Sequence, residues 1–518
     1  MTPASRPNLL LIMVDQLAAG WLPPYGHPVV QAPNITALAR AGVVFENAYC
    51  ASPLCSPSRA ALLTGRLPSR AEVFDNGAEL RASLPTVAHH LRAAGYATCL
   101  AGKMHFVGPD QLHGFEERLT TDIYPADLGW TPDWRRPVGE RLPWYHTMES
   151  VLAPGVCAAS MQLDYDDEVA FQAVRRIFDF ARERADDPFF LLVSFTHPHD
   201  PWEVRGRYWD LYDRAAIDAP TVPAIPASRA DPHSRRVRQM IGIDEARLSD
   251  EHVRTARHGY YAAINYVDER IGEVLAALRD SGLDEDTTVV LTADHGEMLG
   301  ERGLWYKMSF FEPSARVPLL VSAPGRIAPG RRAEAVSLLD VAPTLLELAA
   351  SGPADEMDGF SLGSLLDGRD SARPAPVVGE YLAEGVTSPA VMIRRGPHKF
   401  ISCEGDPYQL YDLSNDPLEL VNLAKLPTHA ELCSRFRDEV AARWDTSELE
   451  RRVLESQRER HLVAEALGAG RVTQWDFQPY VDASAQYVRS SADVYELQRR
   501  ARVDARGSGS PPRTHPPE

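Results

Sequence analysis

Short runs of consecutive apolar residues recur along the chain, and each run is bounded by polar residues. The clearest are residues 8–14, 189–195, 288–292 and 318–322. A continuous apolar run of this length is typical of a strand that is buried on both faces of a parallel sheet. We therefore predict four strands of one sheet, the first of which ends at Asp15.

Between these runs lie segments in which apolar residues recur at spacings of three and four, with charged residues on the opposite face. They predict helices over residues 37–41, 84–94, 166–185 and 258–281. Strands that alternate with helices indicate an α/β fold, in which helices cover both faces of a mostly parallel sheet. In such folds functional side chains gather beyond the carboxyl ends of the strands. The polar residues expected there are Asp15, His197, His199, Asp294 and His295.

The pattern changes near residue 376, where short strand-like segments separated by turns replace the long buried runs. Residues 390–394 and 408–412 are the clearest of these segments and predict a small antiparallel sheet. A charged amphipathic helix is predicted over residues 448–467. We predict four regions: a large catalytic domain over 1–375, a smaller α+β domain over 376–470, an aromatic and polar tail over 471–506, and a disordered end over 507–518.

Composition and charge narrow the class of protein. The 518 residues are 44% apolar and 24% charged, as in ordinary globular proteins. A net charge of -18 argues against a nucleic-acid partner, because phosphates are bound by clustered Lys and Arg. The first apolar run is too short to span a membrane and lacks the basic start and cleavage site of a signal peptide. We therefore expect a cytoplasmic protein without a membrane partner.

The six cysteines are scattered without the dense spacing of a disulfide framework, so we expect reduced thiols. Cys55 opens the run Cys-Ser-Pro-Ser-Arg at residues 55–59, which continues as Ala-Ala-Leu-Leu-Thr-Gly-Arg. A side chain at a helix start lies among free backbone N–H groups, which stabilise negative charge. Arg59, one turn further on, adds a fixed cation. This placement suits a nucleophile; the alternative is a buried structural cysteine beside a proline-initiated helix.

The run at residues 55–66 resembles the signature of type I sulfatases in the alkaline-phosphatase superfamily at every fixed position. In that family a separate formylglycine-generating enzyme oxidises the cysteine to formylglycine (3-oxoalanine), and the hydrate of this aldehyde attacks sulfur. The resemblance implies this role for Cys55 and an alkaline-phosphatase-like fold. Further blocks of resemblance follow in the family's order: residues 7–16, 32–39, 42–45, 95–98, 102–105, 292–297 and 410–424.

The resemblance also implies a metal site formed by Asp15, Gln16, Asp294, His295 and the modified Cys55. Mostly oxygen ligands favour Ca²⁺, with Mg²⁺ or Mn²⁺ as the next candidates. Many relatives carry Asp at the position of Gln16, and the amide lowers the negative charge of the site by one. Taken singly, Asp15 and the pair Asp294 and His295 are equally consistent with turn or cap residues at strand ends. Only together do they indicate a metal site.

Five further side chains acquire roles from the same resemblance: Arg59, Lys103 and His105 would hold the hydrate, and His199 and Lys307 would bind the sulfate oxygens. One of the last two would protonate the leaving oxygen. His197 would point to the same side as His199 if the segment is extended. The family pattern Pro-His-x-Pro favours His199, and the alternative for either residue is a packing histidine.

Tryptophan is concentrated in residues 124–146, where Trp130, Trp134 and Trp144 lie within fifteen residues. A quaternary ammonium group donates no strong hydrogen bonds and is bound by aromatic faces and a carboxylate, at about 0.5–2 kcal/mol per ring. This segment is therefore suited to form a cation pocket. The alternative is that the tryptophans only cover the top face of the sheet.

Residues 124–146, with the segments 294–307, 380–385 and 474–479, resemble choline sulfatases more than aryl or carbohydrate sulfatases. The implied reaction is hydrolysis of a small-molecule sulfate ester, choline-O-sulfate, to choline and inorganic sulfate. The implied pocket residues are Trp130, His146 and Glu384, with Asp493 if the tail packs over its own or a neighbouring site. Such packing implies a homo-oligomer, a dimer or a tetramer.

Two other functions remain open at this point. A phosphonate or phosphate monoester hydrolase, or an aryl sulfatase, of the same superfamily would use the same core site, because that site handles tetrahedral oxyanions in general. A non-catalytic protein that binds an osmolyte ester would leave Cys55 as a thiol. The resemblance in the substrate-side segments disfavours the first, and the intact Cys-x-Pro-x-Arg run disfavours the second.

Overall fold

A computed structural model describes residues 6–137, 140–142, 144–183, 187–352, 356–369, 373–471 and 475. The predicted tail, its Asp493 and the predicted disordered end lie outside the described residues, except for residues 471 and 475. Within the described ranges, none of the helices combines the length and the apolar character that crossing a membrane requires.

The described strands are, in chain order, β1 (Asn8–Val14), β2 (Val43–Tyr49), β3 (Ala97–Gly102), β4 (Glu117–Arg118), β5 (Gly155–Val156), β6 (Phe189–Phe195), β7 (Glu203–Val204), β8 (Thr287–Ala293), β9 (Arg316–Ser322), β10 (Gly330–Ser337), β11 (Val377–Tyr381), β12 (Ala390–Arg395), β13 (His398–Cys403) and β14 (Gln409–Asp412). The described α-helices are α1 (Pro33–Ala41), α2 (Cys55–Thr64), α3 (Pro68–Ala71), α4 (Val87–Ala93), α5 (Glu149–Leu152), α6 (Met161–Glu183), α7 (Gly206–Trp209), α8 (Pro232–Ile241), α9 (Ile243–Ala246), α10 (Asp250–Ser281), α11 (Glu312–Ala315), α12 (Val341–Leu348), α13 (Gly363–Leu366), α14 (Ala430–Arg443) and α15 (Thr446–Gly468). Short 3-10 turns lie at Ala19–Trp21, Pro23–Tyr25, Arg214–Ala216, Asp284–Asp286, Glu301–Gly303, Leu338–Asp340, Leu423–Lys425 and Pro427–His429.

The larger sheet has eight strands in the order β10-β2-β9-β8-β1-β6-β3-β4. All neighbouring pairs are parallel except the two that involve β9, so the mostly parallel sheet is confirmed. The prediction that residues 318–322 belong to the parallel set is wrong, because β9 runs antiparallel to both β2 and β8. After β8 the chain stays at the carboxyl edge of the sheet and returns through the single turn of α11, whereas a parallel connection needs a long crossover.

The predicted helices are present, with different ends. The helix α10 begins at Asp250 rather than at residue 258, because Ser249 caps it by accepting a hydrogen bond from the backbone N–H of His252. The helix α6 begins five residues earlier than predicted and is described as far as Glu183. The strands β2 and β3 were not predicted, because β2 is interrupted by Glu46 and Asn47 and β3 consists mainly of small residues.

The smaller sheet is antiparallel and has the order β11-β12-β13-β14, which confirms the predicted second sheet. Its own hydrophobic cluster joins the sheet to α14 and α15 through Phe400, Phe436 and Val453. The backbone N–H of Glu380 in β11 donates to the carbonyl of Ala51, four residues before α2, at 2.8 Å. The small sheet therefore adjoins the segment that leads to Cys55.

Candidate active site

The carboxyl ends of β1, β6 and β8 lie side by side, because β1 pairs in parallel with both of the other strands. Asp15 directly follows β1, and Asp294 directly follows β8. The backbone N–H of Asp15 donates to the carbonyl of Phe195, the last residue of β6, at 3.2 Å. This edge of the sheet therefore brings together side chains that are remote in sequence.

Four buried side chains, Asp15, Cys55, Asp294 and His295, each direct one ligand atom toward a common point, and these atoms lie within 4.8 Å of one another. The Sγ atom of Cys55 lies 3.2 Å from Nε2 of His295. The Oδ1 atom of Asp15 is buried and has no hydrogen-bond partner among the described residues. Two carboxylates, an imidazole and the side chain of residue 55 form a ligand set that fits a divalent cation.

The guanidinium of Arg59 connects the two carboxylates of this cluster. Its Nε donates to Oδ2 of Asp294 at 2.8 Å, and an Nη atom donates to Oδ2 of Asp15 at 3.0 Å. Burial alone would lower the pKa of Arg59, but the charges of Asp294 and Asp15 raise it above its usual range. Each carboxylate thus uses Oδ2 for the guanidinium, while Oδ1 of Asp294 accepts the backbone N–H groups of Gln16 and His295 at 3.1 and 2.9 Å.

The helix α2 begins at Cys55, and all ten of its residues are buried. The hydroxyl of Ser58 donates to the carbonyl of Asp294 at 2.6 Å, which fixes the first turn against the end of β8. The Oδ1 atom of Asn76 accepts a hydrogen bond from the backbone N–H of Ser56 at 3.0 Å. Asn76 could not be predicted as a site residue, because nothing in its local sequence pattern connects it with a helix that begins 21 residues earlier.

Lys103 and His105 follow β3 and face the same cluster. The ammonium of Lys103 pairs with Asp15, lies 3.8 Å from Sγ of Cys55, and lies 4.1 Å from the ring centroid of Tyr124. The carboxylate of Asp122 accepts the backbone N–H of His105 at 2.8 Å and thereby holds the turn. Burial lowers the pKa of His105, and both of its ring nitrogens lack a hydrogen-bond partner within the described residues. Asp122 was not predicted from the sequence, and Tyr124 was predicted only as part of the aromatic segment.

A second polar chain passes through Gln16 and Lys307. The Nζ atom of Lys307 lies 2.6 Å from Oε1 of Gln16 and 2.9 Å from Nε2 of His199. The Nε2 atom of Gln16 donates to Oε2 of Glu297 at 2.6 Å. Burial raises the pKa of Glu297 to about 7. The Gln16 amide therefore already has partners on both sides, and its predicted role as a metal ligand stays a prediction.

The two histidines that follow β6 face different partners. Residues 196–201 form a turn rather than an extended strand, so the condition under which both imidazoles would point to one side is not met. The Nδ1 atom of His197 lies 2.7 Å from Oδ2 of Asp166. His199 is the histidine in contact with Lys307, and burial together with that ammonium lowers the pKa of His199 well below its usual value.

Aromatic rings form a wall next to this polar site. The ring centroid of Trp130 lies 4.9 Å from that of Tyr124 and 5.3 Å from that of His105. Trp144 stacks on Trp130 at 6.2 Å and contacts Tyr145 at 4.5 Å. The wall thus connects the predicted cation pocket with His105, which faces the ligand cluster.

The other predicted pocket residues have different neighbours. His146 stacks on Tyr306 with ring centroids 4.4 Å apart and lies 5.8 Å from His199. Glu384 lines a recess together with Tyr145 and is buried, and its Oε2 atom has no hydrogen-bond partner among the described residues. Burial raises the pKa of Glu384 to about 7. A buried carboxyl group without a partner is what a cationic ligand would satisfy.

The family model "Sulfatase" matches residues 7–351, about two thirds of the chain. The chain belongs to the sulfatase family. The model "N-sulphoglucosamine sulphohydrolase, C-terminal" matches residues 300–445, and "Choline sulfatase enzyme C terminal" matches residues 451–503. The resemblance from the sequence is thereby confirmed, and this sulfatase is an enzyme of the sulfuric ester hydrolase class.

Individual relatives agree with this assignment. The choline-sulfatase of Rhizobium meliloti (strain 1021) is 48% identical over 507 residues, which are 96% of this chain and 98% of that protein. The arylsulfatase of Clostridium perfringens (strain 13 / Type A) is 29% identical over 452 residues, 83% of this chain and 93% of the relative. The crystal structure of the phosphonate monoester hydrolase of Agrobacterium radiobacter superposes with a TM-score of 0.68 at 26% identity, covering 84% of this sulfatase and 95% of the other chain. The alkaline-phosphatase-like fold is therefore confirmed.

Proposed function

We propose that this sulfatase hydrolyses choline-O-sulfate to choline and inorganic sulfate with a nucleophile derived from Cys55. The observation that carries the proposal is the adjacency of two unlike surfaces. The buried ammonium of Lys103 lies 3.8 Å from Sγ of residue 55, and the aromatic wall of Trp130 and Trp144 begins at His105, two residues after Lys103. An ester with an anionic sulfate and a quaternary ammonium group matches both surfaces. The name of the Rhizobium meliloti relative adds support.

Residue 55 and the ligand cluster divide the chemistry between them. A divalent cation held by Asp15, Asp294 and His295 would supply Lewis-acid activation, and the formylglycine hydrate would supply an attacking oxygen and a second hydroxyl through which sulfate is released. We propose Ca²⁺ as this cation, with Mg²⁺ or Mn²⁺ as alternatives. The ammonium of Lys103 lies close enough to hold an oxygen of residue 55.

Lys307 and His199 would act on the sulfate and on the leaving oxygen. Burial by itself lowers the pKa of Lys307, but nearby negative charges, which include the carboxylates of Asp15 and Asp200, raise it above the usual value. Because the pKa of His199 is lowered, the pair at 2.9 Å carries its proton on Lys307. Lys307 can therefore both neutralise the sulfate and supply the proton that the choline oxygen needs as the S–O bond breaks.

Removal of the divalent cation is expected to abolish sulfate release and to lower the thermal stability. The carboxylates of Asp15 and Asp294 come together only in the folded state, so a cation that binds them stabilises that state. A cation concentration a hundredfold above its Kd adds about 2.7 kcal/mol to the free energy of unfolding. The measurement is activity and thermal unfolding after chelation and after return of Ca²⁺, Mg²⁺ or Mn²⁺. Asp15→Asn is the control and should gain little stability from any of them. Full activity in chelator would refute the cation's role.

The affinity for choline-O-sulfate is expected to rise with pH across neutrality. Because the pKa of Glu384 is about 7, its carboxyl is neutral below that pH and charged above it. A cationic substrate binds the charged form, so KM should fall between about pH 6 and about pH 8. Glu384→Gln should raise KM about tenfold, which corresponds to ~1.4 kcal/mol, and should remove the pH dependence. An aryl sulfate serves as the control substrate; the same fall in its KM would contradict the assignment.

The direct test of the function is sulfate release from choline-O-sulfate by protein that is co-expressed with a formylglycine-generating enzyme. The peptide mass of residue 55 reports its conversion to the aldehyde. An aryl sulfate and a phenyl phosphonate are compared in parallel, because the likeness to a phosphonate monoester hydrolase favours that activity as the second candidate. Faster turnover of the phosphonate would replace the proposal, and faster turnover of the aryl sulfate would retain the sulfatase but not the choline pocket.

We further propose a transient encounter with a formylglycine-generating enzyme, a cytoplasmic location and a homo-oligomer, either a dimer or a tetramer. The match of the choline sulfatase C-terminal model to residues 451–503 supports a role for the tail that contains Asp493. Family membership and the intact nucleophile motif count against the non-catalytic alternative.

A further inference from the structure

The C-terminal helix α15 buries polar residues where an ordinary amphipathic helix would bury apolar ones. Leu449, Val453, Gln457 and Arg460 follow one another at helical spacing, and all four are buried. Buried polar side chains cost stability unless they are paired. The partners of Gln457 and Arg460 therefore indicate what this face of the helix does.

Arg460 joins two separate segments next to the candidate active site, residues 75–77 and residues 130–134. Its two Nη atoms donate to Oδ1 and Oδ2 of Asp75 at 2.6 and 2.7 Å, a bidentate ion pair in which Asp75 is fully buried. One of these Nη atoms also donates to Oγ1 of Thr131 at 3.1 Å. A planar guanidinium fork imposes its geometry on both partners.

The two segments support the parts of the site that would bind opposite ends of the proposed substrate. Asp75 precedes Asn76, whose side chain holds the backbone N–H of Ser56 beside the nucleophile. Thr131 follows Trp130, the ring of the aromatic wall that lies beside His105. Arg460 therefore connects the sulfate end of the site with its cation end.

Two neighbouring contacts reinforce this connection. The Oε1 atom of Gln457 accepts the backbone N–H of Trp134 at 3.0 Å, and Nε2 of His461 lies 3.0 Å from the carbonyl of Pro132. At Gly77 a Cβ atom would lie only 2.6 Å from the backbone nitrogen of Thr131, so the segments 75–77 and 130–134 are in contact there. The face of α15 thus holds the segment 130–134 against the segment 75–77.

We propose that Arg460 is a positioning residue that sets the spacing between the cation pocket and the nucleophile and thereby determines selectivity for cationic sulfate esters. The inference rests on the proposed function. In choline-O-sulfate a two-carbon linker limits the distance between the ammonium and the sulfate. If the cation pocket moves relative to the nucleophile, the substrate cannot occupy both parts of the site at once. An aryl sulfate has no such second group and needs only the sulfate end.

The test measures kcat and KM for choline-O-sulfate and for 4-nitrophenyl sulfate with wild-type protein and with Arg460→Met. We expect KM for choline-O-sulfate to rise about tenfold to a hundredfold, while kcat/KM for the aryl ester changes by no more than about twofold. Loss of one partner of a buried ion pair also destabilises a fold. If the single variant does not fold, the double variant Asp75→Asn/Arg460→Met replaces it, because it removes both charges of the ion pair. We expect the same change in selectivity in the double variant.

Arg452→Met is the matched control, because Arg452 is on the same helix and pairs with Glu72 at a partly exposed position. It should keep the wild-type preference. If both Arg460 variants keep the wild-type preference for choline-O-sulfate over the aryl ester, with or without a lower melting temperature, the role of Arg460 is purely structural. That result would overturn this inference but not the proposed function. Wild-type protein that turns over the aryl ester but not choline-O-sulfate would overturn the proposed function, and this inference with it.

Discussion

Cys55→Ser is expected to release about one choline per enzyme molecule and then to stop. A serine oxygen at this position can attack sulfur, since the surrounding cations and the start of α2 are unchanged. The resulting sulfate ester of serine has no second hydroxyl on the same carbon, so it cannot collapse to an aldehyde and expel sulfate. Cys55→Ala, which lacks an attacking atom, should lower turnover by a factor on the order of 10⁵ or more.

A choline assay with rapid mixing and the intact mass of the variant measure this outcome together. The serine variant should gain the mass of one sulfonate group on the peptide that contains residue 55. Cys99→Ser is the matched control, because Cys99 is also buried but lies within β3, four residues before Lys103. It should turn over normally. Repeated sulfate release by Cys55→Ser would contradict a mechanism that depends on the hydrate.

The sequence was sufficient for the parts of the site that depend on local pattern. Cys55 and Arg59 lie in one short motif, and Asp15 and Asp294 each follow an apolar run, so strand ends and helix start could be located without a structure. The sheet type followed from the same runs. The direction of β9 did not, because the length of its apolar run is the same for either direction.

The remaining site residues depend on contacts between distant segments. Asp75 and Arg460 are separated by 385 positions, and neither lies in a recognisable motif. Tyr124 was included only in the aromatic segment, although its ring lies over the ammonium of Lys103. The roles of such residues depend on the side chains that they contact in the folded protein, not on their neighbours in the chain. The periodicity of apolar residues therefore does not reveal them.

Arg59→Met is expected to destabilise the protein by about 3–5 kcal/mol and to abolish sulfate release, because it leaves Asp15 and Asp294 as buried carboxylates without the guanidinium. Arg59→Lys keeps a positive charge but cannot form the fork that reaches both carboxylates. We therefore expect the lysine variant to recover part of the stability and little of the activity. Urea unfolding and sulfate release measure the two effects separately.

A divalent cation neutralises the same two carboxylates, so its effect should depend on Arg59. The stability lost in Arg59→Met should be smaller with saturating Ca²⁺ than after chelation, since the cation substitutes for part of the missing charge. Arg373→Met is the matched control, because Arg373 forms a bidentate pair with buried Asp340, which does not belong to the ligand cluster. That variant should lose stability by the same amount with and without Ca²⁺ and should keep its activity. An equal response of both variants to Ca²⁺ would mean that Arg59 and the cation do not share Asp15 and Asp294, and that the cation binds elsewhere.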